Sequence, residues 1–370
     1  TMRGFTSDSS VGDDRGPYLN WDLNSAEATS NRIKPTPTGV KIHDSNDTWN
    51  QSGHKFIYMA IRRGSLNTPE SASEVFAIDG EADTSPSPPS YNAPFIVDMF
   101  LGRRNAAGTD SWYLFDRTRG KAPGLIPNGS DAELNAGGSV YRFDRNDGIG
   151  YSSSNYYTNA YGWMWKRAPG FFDICNFVGS GGSSQSITHN LGVAPEMIWV
   201  KRRDGASNWS IYHSALGLSK ILNFATNAAG TGNQYWGTAA HTSSVFKVGS
   251  DSDTGASTNN YIAYLFATVA GVSKVGSFTF ANSSGALNVD CGFSNGAKLV
   301  IFKRTNNTGD WYVVDSLRGI TAGNDPYLRI NANFAQNSST ELINPLSSGF
   351  TVQHNQGVVD GDYIFYAIAA

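Results

Sequence analysis

The chain has 370 residues, of which 39% are hydrophobic and 16% are charged, with 28 basic and 31 acidic side chains. A net charge of −3 gives no electrostatic reason to expect nucleic acid or an anionic membrane as a partner. The length allows two or three domains, and no apolar run approaches the length that membrane insertion needs. Two cysteines do not make a disulfide framework, so we expect Cys175 and Cys291 to be free and buried.

Composition predicts an all-β protein. The 40 glycines exceed the usual share of about 7%, and the segments between apolar runs are rich in Ser, Asn, Thr and Asp. The apolar runs are short and rich in Val, Ile, Phe, Tyr and Trp, as strands are. No segment shows sustained helical periodicity with flanking caps. We therefore expect tandem antiparallel β-sandwich-type repeats of about 100 residues.

The first 66 residues match only the later part of such a repeat. Residues 1–6 correspond to residues 316–321, and residues 17–19 correspond to residues 326–328. We therefore expect residues 1–66 to be an incomplete repeat whose first strands are absent. Its exposed sheet edge would need cover from a neighbour or from upstream residues.

Three complete repeats follow, at residues 67–168, 169–268 and 269–370. In each, an apolar run ends in a basic cluster, a tryptophan comes six to eight residues later, and an acid or histidine lies four residues further on. These tryptophans are 97 and then 102 residues apart (Trp112, Trp209 and Trp311). A period near 100 fits a small β domain. Repetition favours a structural or adhesive protein, because one active site gains nothing from three copies.

Each repeat closes with an aromatic-rich strand, at residues 161–165, 261–267 and 363–369. These strands are almost continuously apolar, whereas a strand with one solvent-exposed face alternates between apolar and polar residues. We expect them to be central in their sheets and buried on both faces.

The tryptophans and the basic clusters each have two interpretations. The tryptophans could stack on sugars, but their fixed place between strands favours a role as structural anchors in the core. The pairs Lys201–Arg202 and Lys303–Arg304 could form a stripe that binds acidic polysaccharide. We expect them instead to pair with acids such as Asp315, or to extend along a sheet edge.

Candidate metal ligands are weak. Residues 251–255 have the spacing that begins a calcium loop, but the later bidentate Glu is absent, so an Asp-rich turn is expected. The histidines of the third repeat are 24 and 28 residues apart and suggest no metal site (His189, His213 and His241). His213 has Asp116 and Asp315 as its counterparts, which fits a polar side chain that caps a turn. We expect no metal and no cofactor.

Candidate catalytic acids are equally weak. Asp144 with Asp147, and Asp360 with Asp362, lie in Gly-rich turns where Asp is common for local hydrogen bonding. We assign no catalytic residue. A polysaccharide hydrolase with paired carboxylates is the least favoured function.

The third repeat carries a recognisable order of motifs. A Gly-rich segment (177–181) is followed by His-Asn-Leu-Gly-Val-Ala-Pro within residues 186–195, then by an apolar strand ending in Lys-Arg (197–202). Trp-Ser-Ile-Tyr-His-Ser (209–214) and the strand of residues 244–249 complete the set. This order resembles a repeat common in virion proteins of marine bacteriophages.

The resemblance is best over residues 169–370. The second repeat departs from it, because residues 91–94 replace the His-Asn-Leu-Gly-Val stretch and Asp98 interrupts the strand. The resemblance implies a virion structural protein without catalysis, in a tail fibre or similar appendage that contacts the host surface. The alternatives are a capsid or tail decoration or scaffold protein without receptor contact and, less favoured, a polysaccharide-degrading tail spike.

The resemblance also implies partners. We expect a homotrimer, assembled in the host cytoplasm, that contacts other virion proteins and a host surface glycan or protein, with neither nucleic acid nor membrane insertion. Receptor contacts should come from loops where aromatics lie among Ser, Asn and Gly. The candidates are Tyr151, Tyr156, Tyr157, Tyr235 and Trp236. The alternative is that these aromatics fold back onto the sheet.

Overall fold

The structure is a computed structural model that describes residues 16–18, 28–30, 33–36, 39–42, 51–57, 67–80, 90–104, 110–120, 123–135, 141–143, 145–151, 160–232, 234–281, 285–355 and 357–370. Its regular elements are antiparallel strands and one short 3-10 helix, Ala72–Glu74, so the all-β prediction is confirmed. Most of the expected incomplete repeat lies outside the described residues. Its described strands form two hairpins, β1 (Gly16–Tyr18) with β2 (Ala28–Ser30) and β3 (Ile33–Thr36) with β4 (Gly39–Ile42).

The first main sheet and a smaller sheet come from residues 67–168. The strands are β5 (Phe76–Gly80), β6 (Ser90–Asn92), β7 (Met99–Arg104), β8 (Tyr113–Asp116), β9 (Pro123–Gly124), β10 (Leu134–Asn135), β11 (Tyr141–Arg142), β12 (Gly148–Tyr151) and β13 (Ala160–Trp165). The main sheet has the order β5-β13-β7-β8, and the smaller sheet has the order β11-β12-β6. Strands β9 and β10 form a separate pair.

The second main sheet comes from residues 169–268. The strands are β14 (Phe172–Val178), β15 (Gln185–Thr188), β16 (Met197–Arg202), β17 (Ser210–His213), β18 (Lys220–Ile221), β19 (Gly230–Thr231), β20 (Val245–Val248) and β21 (Asn260–Phe266). The main sheet has the order β14-β21-β16-β17, while β15–β20 and β18–β19 form two-stranded sheets.

The third main sheet comes from residues 269–370. The strands are β22 (Ser273–Phe280), β23 (Ala286–Asp290), β24 (Ala297–Arg304), β25 (Trp311–Asp315), β26 (Tyr327–Arg329), β27 (Ile343–Leu346), β28 (Gly349–Gln353) and β29 (Gly361–Ala369). The main sheet has the order β22-β29-β24-β25-β26, and the smaller sheet has the order β23-β28-β27. The first four strands therefore have the same order in all three main sheets.

The closing strands β13, β21 and β29 each lie between two other strands of their main sheet. In β21, Tyr261 and Leu265 pack in one hydrophobic cluster together with Phe246 of β20. The alternate residues Tyr264 and Phe266 pack in a different, larger cluster. Successive side chains of a strand point to opposite faces, so β21 is buried on both. The prediction of a central strand buried on both faces is confirmed.

The larger cluster is shared by all three main sheets. It contains Trp165 from β13, Phe266 from β21 and Tyr366 from β29. The Phe266 ring lies 4.7 Å from the Trp199 ring and 5.1 Å from the Tyr366 ring, measured between centroids. The main sheets thus pack one face against each other. Loss of any one sheet would expose the apolar faces of the other two.

The turns that lead into the main sheets have matching hydrogen bonds. The amide of Val75 donates to Ala72, that of Phe171 to Ala168 and that of Val272 to Val269, at 3.1, 3.1 and 2.9 Å. All six of these residues are buried. Since the two later turns are tight, the second and third main sheets follow their predecessors without a flexible linker.

Replacing Trp311, which is 1% exposed, by alanine should lower the free energy of unfolding by about 3–5 kcal/mol, because it leaves a cavity in the shared core. Urea unfolding measures this difference. Leu317→Ala is the matched control: Leu317 is 50% exposed, so its loss should change stability by less than about 0.5 kcal/mol. Unchanged stability of Trp311→Ala with loss of glycan binding would contradict the anchoring role and favour sugar stacking.

Candidate functional site

The three tryptophans that define the period are buried, and each joins two main sheets. The indole N–H of each donates to a backbone carbonyl in the segment that follows β8, β17 or β25 of another main sheet. The pairs are Trp112 with Arg329 (2.8 Å), Trp209 with Ile126 (2.9 Å) and Trp311 with Asn223 (2.8 Å). The first sheet donates to the third, the second to the first and the third to the second. We call these contacts the tryptophan junctions, and together they close a ring within one chain.

A buried cation reinforces each tryptophan junction in the same direction. Its nitrogen donates to a loop carbonyl of the same neighbouring sheet that accepts from the tryptophan. The pairs are Arg103 with Phe334 (2.8 Å), Lys201 with Ser130 (3.3 Å) and Lys303 with Thr226 (3.0 Å). These cations hold equivalent places, since β7, β16 and β24 pair with their neighbours in the same register.

The expectation for the two lysines is therefore wrong. Lys201 and Lys303 are completely buried and donate to carbonyls, so they form neither an acid pair, an edge charge nor a surface stripe. Asp315, the acid proposed as a partner, pairs with Arg318 instead. The adjacent Arg202 does pair with an acid, at 2.7 Å from Asp204. Burial lowers the pKa of each lysine to about 8, because leaving water penalises the charged amine.

The acid or histidine four residues after each tryptophan caps a turn, as predicted. Asp116 accepts from the amides of Thr118 and Arg119, and Asp315 accepts from the amide of Arg318. In the second sheet, His213 Nδ1 accepts from the amide of Ala215 at 3.2 Å. The neutral imidazole must then carry its proton on Nε2.

The two aspartates also accept a side-chain hydrogen bond from another main sheet. The Tyr264 hydroxyl donates to Asp116 at 2.7 Å, and the Trp163 indole donates to Asp315 at 3.2 Å. The direction is again second sheet to first, and first sheet to third. Between the third and second sheets the equivalent groups are the Tyr366 hydroxyl and His213 Nε2, and among the described residues no hydrogen bond joins these two groups.

The contact between the first and second sheets contains a buried ionic network. Arg119 contacts Asp116 at 2.5 Å and Glu133 at 3.1 Å, and Arg203 contacts both oxygens of Glu133, at 2.7 and 3.1 Å. Burial alone would raise the pKa of Asp116, but Arg119 and the hydrogen bonds from Thr118 and Tyr264 hold it below its ordinary value. Two cations and two carboxylates balance, so no buried charge is left unpaired.

The predicted receptor contacts are distributed unevenly. Trp236 is completely buried, and its indole N–H donates to the Lys220 carbonyl at 2.9 Å, so it offers no face to a receptor. The prediction that Trp236 contacts a receptor is therefore wrong. A segment without alternating apolar and polar residues can still bury its aromatic side chain. Tyr235 is half-buried beside it. Tyr151 ends β12, while Tyr156 and Tyr157 lie outside the described residues.

The candidate metal and acid sites are turns where the structure describes them. Asp251 accepts from the amide of Asp253 and from the side chain of Gln234, each at 2.8 Å, as in the expected Asp-rich turn. Asp147 pairs with Arg145, and Asp362 accepts from Thr279 and Asn306. Asp144 lies outside the described residues. Across the described ranges, no group of three or more His, Cys, Asp or Glu could hold a metal.

Two further observations concern the cysteines and the absence of a membrane-spanning helix in the described part of the chain. Cys175 and Cys291 are free and buried, as predicted. Burial raises the pKa of the Cys291 thiol to about 12, which disfavours the reactive thiolate. Within the described part of the chain, no helix is long and apolar enough to cross a membrane.

Comparison with known proteins gives a family without an assigned activity. A family model described as a domain of unknown function (DUF7483) matches residues 96–370, and the chain belongs to this family. The match begins just before β7, so it includes all three tryptophan junctions. No curated protein matches the chain.

Sequence reasoning missed the acceptors of the junctions. Ile126 and Asn223 each lie 14 residues after their repeat's tryptophan, and Arg329 lies 18 residues after it. Their side chains share no chemistry, because the junction uses only the backbone carbonyl. The common spacing in two repeats was the available signal.

His213 should lower the free energy of unfolding of the protein in acid. Burial lowers its pKa to about 4, below the unfolded value of 6.5, so the folded state binds fewer protons and stability is lost as pH falls from 6.5 towards 4. Between pH 7 and pH 5 this one group should remove about 2 kcal/mol from the free energy of unfolding. His213→Asn should lose that part of the pH dependence in urea titrations at both pH values.

His241 has a similarly lowered pKa of about 4, through burial and the nearby His189, so some acid sensitivity should remain in the variant. The exposed His54 provides the control: His54→Asn should keep the pH dependence of the unaltered protein. An equal pH dependence in His213→Asn and the unaltered protein would contradict a buried neutral His213.

Proposed function

We propose that this protein is a non-catalytic structural component of a bacteriophage particle, in a tail fibre or similar appendage that contacts the host surface. The observation that carries the proposal is the threefold recurrence of one sheet with one junction. Each tryptophan, each buried cation and each turn-capping side chain recurs in the same place. A catalytic site occurs once and differs from its surroundings, whereas these recurring groups use their hydrogen bonds to hold the sheets together.

The motif order in residues 177–214 supports the phage assignment, because it resembles a repeat of marine phage virion proteins. The compact ring supports a load-bearing role. Its inter-sheet contacts include hydrogen bonds from buried donors, and a buried donor costs free energy when its acceptor is withdrawn. A particle protein exposed outside a cell gains from such a constraint.

The proposed partners are other virion proteins, further copies of this chain as a homotrimer, and a host surface glycan or protein. Each main sheet already engages the other two within the chain. Association between copies would therefore use surfaces outside the tryptophan junctions. Receptor contacts would come from the loops, which can vary without disturbing the sheets. The protein would be assembled in the host cytoplasm and reside in the virion.

Two other functions have a physical basis. A capsid or tail decoration protein would need the same stable ring without any receptor contact. A polysaccharide-degrading spike would need paired carboxylates at a cleft. The described candidates are instead engaged in turns or local pairs, which favours the first function over the spike.

Immunogold labelling of intact particles with antibodies against residues 67–370 tests the proposal. We expect label on fibres or other appendages. Label spread over the capsid would favour the decoration function, and particles without label would contradict a virion role. A reducing-end assay on host surface polysaccharide, with the purified protein, should show no cleavage. Release of oligosaccharides would contradict the non-catalytic assignment.

A further inference from the structure

Among the described aromatic side chains, Phe334 is more exposed than Phe56, which is 43% exposed. Phe334 is 64% exposed, and only its backbone carbonyl takes part in the junction with Arg103. The equivalent carbonyls belong to Ser130 and Thr226, whose side chains also face solvent. The contact between the sheets therefore needs only a backbone carbonyl at this position and does not depend on the side chain. A large apolar ring in water is unfavourable for the fold, so its presence needs another explanation.

The surroundings of Phe334 are ordered and polar. The Arg329 guanidinium carbon lies 5.7 Å from the centroid of the Phe334 ring and 5.8 Å from that of Tyr327. Asp310 lies 3.2 Å from Arg329, and the Asn331 amide donates to Asp310 at 2.9 Å. Arg329 and Asp310 remain partly exposed. The guanidinium thus lies next to the Phe334 ring, and a carboxylate and an amide are held on the guanidinium side.

The support for this cluster is rigid. The Asn331 carbonyl oxygen of the side chain accepts from the amide of Trp311 at 2.8 Å, at the start of β25. The Arg329 backbone accepts the indole hydrogen bond of Trp112. The Asn331 side chain and the Arg329 backbone are therefore held by the framework of the three sheets, which lowers the entropic cost of binding a ligand.

We infer that Phe334, Arg329, Asp310 and Asn331 form a saccharide-binding site, in which a neutral pyranose stacks its apolar face on Phe334. An aromatic ring offers a stiff, flat apolar surface at low conformational cost, while the guanidinium, carboxylate and amide match sugar hydroxyls. The close Asp310 balances the charge of Arg329, which favours a neutral sugar over an acidic one. The loop around Phe334 is rich in Asn, Gln and Ser, so it offers no broad apolar patch for a protein partner.

This site deepens the proposed adhesive function and rests on it. An array of purified bacterial surface oligosaccharides, probed with the unaltered protein, identifies bound glycans, and calorimetric titration of the best one gives Kd. Phe334→Thr places the side chain of the equivalent Thr226 at this position. It should weaken binding by at least about tenfold, equivalent to 1.4 kcal/mol, while the melting temperature stays unchanged. Phe334→Tyr keeps an aromatic face and should bind within about threefold of the unaltered protein.

Leu317→Thr is the matched control, because Leu317 is an exposed apolar side chain beside Gly80 and is not one of the four residues of the proposed site. It should bind as the unaltered protein does. Full binding by Phe334→Thr would overturn this site while leaving adhesion through another loop intact. Absence of glycan binding by the unaltered protein would overturn the saccharide site. Particle labelling would still decide the virion role independently.

Discussion

A buried indole N–H is stabilised by an acceptor, and the acceptor in each of the three tryptophan junctions belongs to another main sheet. The indoles of Trp112, Trp209 and Trp311 each donate at 2.8 or 2.9 Å to a backbone carbonyl of a neighbouring main sheet. A buried donor without an acceptor costs on the order of 1–3 kcal/mol, so separation of the sheets is penalised three times over, in addition to the exposure of the shared core. The remaining architecture depends on this exchange.

The junctions share a backbone plan but differ in chemistry. Between the first and second sheets, Asp116, Arg119, Glu133 and Arg203 form a balanced ionic network. Between the third and first, Arg318 pairs with Asp315 and lies over the Trp163 ring.

The contact between the second and third sheets has His213 in place of the aspartate and Leu216 in place of the arginine. These differences make the junctions non-interchangeable. An ionic network docked against the histidine junction would leave charges buried without partners. We infer that they fix the order of the sheets in the ring and discourage exchange between copies.

Much of the framework could be predicted from the sequence because it depends on local pattern. Continuous apolar character identified the closing strands, which are central in their sheets, and the spacing of the tryptophans predicted a period near 100 residues. The partners of Lys201 and Lys303 in the neighbouring sheets could not be predicted, because these acceptors are backbone carbonyls more than 70 residues away, which any residue can supply. Trp236 was misjudged for a related reason. The residues beside it in the sequence show no alternation, yet it donates to the Lys220 carbonyl and packs in the hydrophobic cluster that includes Ile187 of β15 and Phe246 of β20.

Phe334 is the opposite case to Trp236: its side chain is exposed, and the sequence analysis did not select it. It lies in an ordinary loop of Asn, Ala and Gln, and its sequence gives no indication of exposure. Only comparison with Ser130 and Thr226 in the folded ring shows that the junction leaves its side chain free to differ. Equivalent positions that differ in chemistry while sharing a backbone role were informative here, and they can be found only once the cyclic contacts are known.

Hydrogen exchange across a urea series, read by mass spectrometry for peptides covering β13, β21 and β29, tests the closed ring most directly. If the three main sheets depend on one another, all three closing strands should become exchangeable with the same free energy of opening and the same urea dependence. A strand that opens at clearly lower urea, while the other two stay protected, would contradict the closed ring and indicate independently folded domains.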